Sequence, residues 1–129
     1  DSGLGSLDDD VKFDYVVAQS IFSHTAPDLL ERWVADVSTR LAHDGVFFAT
    51  VIEGDVECDG VGWIYPECVE YRLDTVSELA TKYGLTFATL TWYHPRQTWC
   101  ALYAPGFNSK LLNKGLPSWN NFGTLRKEF

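Results

Sequence analysis

Two stretches of this chain are apolar almost without interruption: residues 13–18 read FDYVVA and residues 46–52 read VFFATVI. Continuous apolar runs fit strands covered on both faces, as in a parallel sheet. Between them Leu29, Leu30, Trp33, Val34, Val37 and Leu41 recur at helical spacing on one face. Thr25 and Asp28 have the spacing of a capping box, Pro27 suits a first helical turn, and Asp44-Gly45 predicts a tight exit. Strand, helix and strand make a βαβ unit, whose crossover is expected to be right-handed.

The pattern changes after residue 52. Residues 53–73, EGDVECDGVGWIYPECVEYRL, carry glycines, a proline and several acids and read as a loop. A second helix follows: Thr75 and Glu78 repeat the capping-box spacing, Val76, Leu79, Ala80 and Tyr83 mark its apolar face, and Gly84 ends it. LTFATLTWY at 85–93 and TWCALYA at 98–104 are β-rich, with His94-Pro95-Arg96-Gln97 between them. Four residues join only antiparallel strands, which predicts a hairpin. The order is β-α-β-loop-α-β-β, an α/β fold with its helices packed on the sheet. Residues 1–105 read as the domain and 106–129 as a polar, basic tail with apolar beads at Leu111, Leu112, Trp119 and Phe122. The tail is expected to wrap the body or to be partly disordered.

Composition narrows the class. A chain of 129 residues is one domain, and 46% hydrophobic with 15% aromatic residues fits a packed core rather than disorder. No apolar run approaches the roughly 20 residues that cross a bilayer, and neither a signal peptide nor a membrane partner is expected, with a cytoplasmic location. The absence of methionine, even at position 1, reads as a processed chain or a piece of something longer. Residues 1–105 hold seventeen Asp/Glu against six Lys/Arg, whereas the tail is net basic through Lys110, Lys114, Arg126 and Lys127. An acidic body disfavours phosphate backbones, so no nucleic-acid partner is expected. Cys58, Cys68 and Cys100 are an odd count without a short Cys-x-x-Cys pair, which predicts free thiols in a reducing compartment and no metal site. Asp36 and Arg40 sit one helical turn apart and predict a surface ion pair.

Four stretches, in order and spacing, carry a likeness to a known family. They are FDYVVAQSIFSHT at 13–25, LLERWVADVSTRLAHDGVFFAT at 29–50, LDTVSELATKYGLTF at 73–87 and QTWCALYAP at 97–105. Together they resemble the C-terminal half of a class I S-adenosylmethionine-dependent methyltransferase. The resemblance implies a partial Rossmann-like sheet whose last strand runs antiparallel, inserted between the two before it. The strands would then lie in the order 13–18, 46–52, 98–104, 85–93. Strand 13–18 becomes an exposed apolar edge, expected to be covered by a second copy in a homodimer, by a missing N-terminal half, or by the tail.

The opening DSGLGSL has the look of a glycine loop that cradles a nucleotide cofactor. It has no strand before it and no helix after it, the context such a loop requires, and only twelve residues precede Phe13. The family's glycine-rich motif is therefore expected to be absent. Counting back along the resemblance, Asp1 falls where the family's acidic residue accepts from the adenine amino group, a task for a group that only accepts.

The resemblance further implies that Ala18, Gln19 and Ser20, beyond the first strand, face the sulfonium end of S-adenosylmethionine. His24 is the nearby side chain able to take a proton near neutral pH, either as the base for the incoming nucleophile or as a structural contact. Trp63 and Tyr65 on the long loop, with His94 and Arg96 in the hairpin, are candidates for the pocket of a small-molecule methyl acceptor, or for core packing. The function implied is methyl transfer by an incomplete, acceptor-side half of the enzyme, inactive in isolation. The alternatives are a noncatalytic methyltransferase-like module binding a protein through its exposed edge strand, and a nicotinamide-binding half, which the terminal hairpin disfavours.

Overall fold

The computed structural model describes residue 4 and residues 7–113. Asp1, most of the DSGLGS stretch, Trp119 and Phe122 lie outside the described residues. In chain order the elements are β1 (Phe13–Ala18), α1 (Pro27–Arg40), β2 (Leu41–Glu53), β3 (Glu70–Tyr71), α2 (Leu73–Lys82), β4 (Thr86–Thr89) and β5 (Thr98–Tyr103). Short 3-10 turns cover Phe22–His24 and Ser109–Asn113. The sheet runs β1-β2-β5-β4, with β3 beside the end of β2. β1 and β2 are parallel, and β5 is antiparallel to both its neighbours. This is the expected strand order, with the two-residue β3 added.

Alternation along the strands divides the sheet into two faces. Val16, Phe47, Leu102 and Phe87 stand in one register row, and Ala18, Ala49 and Cys100 in the next. This face is closed by Leu30, Val34 and Val37 of α1 and by Val76 and Ala80 of α2, all buried. These are helix positions that the apolar spacing singled out. Burial pushes the Cys100 thiol up to about 12, with a smaller push from Glu53; all three cysteines are free thiols.

On the opposite face β1 departs from expectation. Its continuous apolar run does not lie in a strand covered on both sides: Tyr15 is 68% and Val17 62% exposed. Among the described residues β1 pairs with β2 alone, so it is an apolar edge. Aromatics roof the middle of this face instead, Trp92 lying on Phe48 at 4.8 Å and on Trp99 at 5.6 Å between ring centroids. β4 ends at Thr89, and Leu90 N–H still donates to the Trp99 carbonyl at 2.8 Å before the chain turns away. The hairpin connection is consequently eight residues long, 90–97, rather than the four expected.

Both capping boxes are replaced by other arrangements. The N-cap of α1 is Ala26, one residue later than Thr25, because Pro27 occupies the first turn. Thr25 Oγ1 donates back to the Phe22 carbonyl, and Asp28 Oδ1 accepts from the Gly62 N–H at 2.9 Å. α2 starts at Leu73, leaving Thr75 inside the helix, where its N–H donates to Asp74 Oδ1. At its other end Leu85 N–H reaches the Ala80 carbonyl and Gly84 N–H the Thr81 carbonyl, with Gly84 at φ 77°. That is the left-handed helix stop for which glycine is suited.

Asp36 and Arg40 do not pair. Arg40 is buried and donates to the Leu7 and Asp8 carbonyls and to Asp9 Oδ1, while Asp36 Oδ2 accepts from Leu4 N–H. The two side chains fasten the segment before β1 instead of each other.

α1 stops at Arg40, ahead of the expected Asp44-Gly45 exit, and Leu41 already pairs with Phe13. Residues 42–45 then loop out before Val46 resumes the ladder opposite Tyr15. Gly45 lies against the β1 backbone there: a Cβ would sit 2.9 Å from the Phe13 carbonyl oxygen and 3.1 Å from that of Ala42. Neither neighbour is a flexible side-chain end. Gly45→Ala is expected to destabilise the fold by about 1–3 kcal/mol, the usual cost of overpacking, read as a lower urea midpoint at unchanged slope. An unchanged midpoint would show that this bulge is soft.

Candidate functional site

Ligands of open α/β sheets sit beyond the carboxyl ends of the parallel strands. The chain leaving β1 there turns sharply, with Ser20 at φ 56°. A non-glycine residue in this left-handed region costs about 1–3 kcal/mol and persists only where its surroundings hold it. Here Ser20 N–H donates to Thr50 Oγ1 at 2.8 Å, and Gln97 Nε2 donates to Ser20 Oγ at 3.0 Å. Thr50 is fully buried in β2. Gln97 Oε1 is buried and has no hydrogen-bond partner among the described residues. Ala18 is half-buried and Gln19 exposed beside this turn.

The hairpin loop delivers Gln97 through His94, whose Nδ1 accepts from the N–H of Arg96 at 3.2 Å and of Gln97 at 3.0 Å. His94 Nδ1 is thus engaged in shaping its own loop. Arg96 is exposed at the loop tip.

A second group forms around the turn Phe22–His24. The long loop docks on it through Ala26 N–H to the Gly62 carbonyl at 2.8 Å, Ile64 N–H to His24 O at 2.8 Å and Val69 N–H to Ser23 O at 2.7 Å. His24 Nδ1 lies 2.8 Å from the Glu67 carbonyl oxygen. A carbonyl only accepts, so Nδ1 carries the hydrogen and Nε2 of the neutral ring is left as an acceptor. Tyr65 meets the same ring edge-on at 5.2 Å. Trp63 and Tyr65 are 49% and 75% exposed, so neither is spent on core packing.

The fold thus joins His24 to the Trp63–Tyr65 loop and, separately, Ser20 to the His94–Gln97 loop. Thr50 and Gln97 escaped the sequence reading. Gln97 lies 77 residues from its partner Ser20, and no local pattern marks such a pair.

A cavity of about 590 Å³ opens past the end of β2, lined by Asp55, Glu57, Asp59 and Glu70 with Tyr71 and Arg72. None of the candidate site residues lines it. Tyr71 donates to the Thr25 carbonyl at 2.6 Å, and its burial pushes its pKa up. Among the described residues no cluster of three or more His, Cys, Asp or Glu is arranged to hold a metal ion. Nor is any helix among them long and apolar enough to cross a membrane.

No protein-family model matches the chain, and no curated protein matches it either. Solved structures do. The 1,6-didemethyltoxoflavin-N1-methyltransferase of Burkholderia thailandensis, with 1,6-didemethyltoxoflavin and S-adenosylhomocysteine bound, superposes with a TM-score of 0.59 at 19% identity over 77% of this chain and 47% of its own. The magnesium protoporphyrin IX methyltransferase of Synechocystis, with S-adenosylhomocysteine bound, gives 0.56 at 8% identity over 78% and 48%. An O-methyltransferase family protein from Burkholderia thailandensis gives 0.55 at 9% identity over 76% and 33%. This is the class I methyltransferase fold. The chain spans about a third to a half of the methyltransferases it matches.

Proposed function

We propose that this chain is the acceptor-side half of an S-adenosylmethionine-dependent methyltransferase acting on a small molecule, with the glycine-loop side of the cofactor site supplied by sequence outside these residues. The observation that carries the reading is the turn after β1: a left-handed Ser20 at the mouth of two parallel strands, beside a buried amide oxygen with no hydrogen-bond partner among the described residues. Strained backbone and orphaned polar atoms gather where ligands bind. The fit to the cofactor rests on that turn. Bound there, S-adenosylmethionine would supply an electrophilic methyl group on a sulfonium. Ala18, Gln19 and Ser20 would face that end, and Asp1, outside the described residues, would accept from the adenine amino group.

Methyl transfer is an in-line displacement, so alignment of the nucleophile comes first. Trp63 and Tyr65 offer exposed aromatic faces for holding a flat acceptor, and Arg96 is free to bind an acidic substituent. His24 takes the proton of a hydroxyl or protonated amine at Nε2, its tautomer set by the Glu67 carbonyl.

Titration calorimetry with S-adenosylhomocysteine tests the reading. Residues 1–129 alone are expected to give no micromolar binding, and a polypeptide extended upstream through a glycine-rich loop is expected to give it. Failure of the extended polypeptide to bind would sink the proposal. The exposed edge of β1, with Tyr15 and Val17, favours a second reading as a noncatalytic module that pairs with a protein partner. An extended polypeptide that ignores the cofactor while a partner protects the β1 amides from exchange would decide for it.

A further inference from the structure

We infer that Gln97 is a positioning residue: its side-chain amide holds Ser20 in the left-handed turn and leaves the Ser20 hydroxyl proton free to be donated to a ligand. This deepens the reading of the turn given above and rests on it. A serine hydroxyl has one proton and two lone pairs. Gln97 Nε2 fills a lone pair of Ser20 Oγ, and the Ser20 N–H is taken by Thr50 Oγ1. What remains to Ser20 is a directed O–H donor at the carboxyl end of β1.

Two features separate this from an ordinary structural amide. The hairpin loop takes its shape from His94 Nδ1, which accepts from two backbone N–H groups, so the Gln97 side chain is not needed to close its own loop. Its other end is also costly, because Oε1 is buried without a partner among the described residues. An amide serving stability alone would pair both ends or give way to an apolar side chain of the same shape.

The opposition of those two effects makes the test. In residues 1–129, Gln97→Leu removes the orphaned oxygen, so the melting midpoint is expected to stay level or rise. The Ser20 amide, followed by hydrogen exchange in an NMR spectrum, is expected to exchange about tenfold faster, the weight of one lost hydrogen bond. Amides of the β2–β5 ladder at Ala49 and Leu102 keep their protection. In a Ser20→Gly background, where glycine takes positive φ without strain, adding Gln97→Leu is expected to leave the residue-20 amide unchanged. Unaltered Ser20 exchange in Gln97→Leu, or a loss shared equally by the ladder with a lower melting midpoint, overturns the inference. Either outcome is independent of whether the extended polypeptide binds S-adenosylhomocysteine, which judges the methyl-transfer reading instead.

Discussion

Replacing His24 by asparagine is expected to lower kcat for methyl transfer at least a hundredfold, the range general-base catalysis contributes, with melting temperature and KM for S-adenosylmethionine little changed. The choice of asparagine follows from the geometry. Its amide nitrogen falls where Nδ1 lies, so it can still donate to the Glu67 carbonyl that His24 holds at 2.8 Å. What asparagine lacks is Nε2, the acceptor the tautomer leaves over. His24→Ala would remove both, and also the ring that Tyr65 meets edge-on, so loosening of the loop would confuse the result. The measurement belongs on a polypeptide that carries the cofactor site and turns over. A kcat within threefold of the parent would leave His24 as a loop anchor only.

The largest loss of stability is expected at Phe47. It is buried in β2, flanked in register by Val16 and Leu102, and meets Phe22 edge-to-face at 5.7 Å. Phe47→Ala removes a ring from the layer between sheet and α1 and is expected to cost about 3–5 kcal/mol. Against a total of about 5–15 kcal/mol for a typical domain, that is enough to leave much of the chain unfolded. Phe48 is the control. It points to the other face, partly exposed under Trp92 at 4.8 Å. The neighbours of this ring can settle onto the space it leaves, so Phe48→Ala is expected to cost distinctly less. Urea unfolding of both variants gives the comparison, and a larger loss at Phe48 than at Phe47 would reverse the two faces of the sheet.

The contrast between Phe47 and Phe48 also marks how far the linear pattern reaches. The apolar run at 46–52 announces a buried strand, but it is apolar at every step around both phenylalanines and therefore does not say which of them faces the helices. The buried faces of the helices were legible, although Leu41, read as the last of the first face, opens β2 instead. Leu30, Val34, Val37, Val76 and Ala80 repeat at the period of the helix, and all are buried. In the candidate site the turn after β1 was legible by position, and His24 by its chemistry. The partners that define them were not. Ser20 is held by Thr50 and Gln97, 30 and 77 residues away, and His24 by the carbonyl of Glu67, a group every residue possesses.

The same division runs through the helix starts. Thr25 and Thr75 carry the letters of a cap, yet Pro27 sets the first turn of α1 one residue on, and the chain enters α2 at Leu73. Thr25 Oγ1 donates three residues back to Phe22 and Thr75 N–H to the adjoining Asp74, and only Asp28 is taken by a distant group, the Gly62 N–H. Periodicity of apolar side chains by itself determined the two helices, the four longer strands and their order along the chain, because burial rewards one face of a helix and one register of a strand over many residues at once; the arrangement of those strands in the sheet was implied by the family resemblance. Only the tertiary structure decided the bulge at 42–45, the exposed flank of β1, the eight-residue hairpin loop and the hydrogen bonds of the Ser20 turn. Each of those rests on one or two contacts between groups far apart in the chain, and a single contact leaves no periodic trace in the sequence.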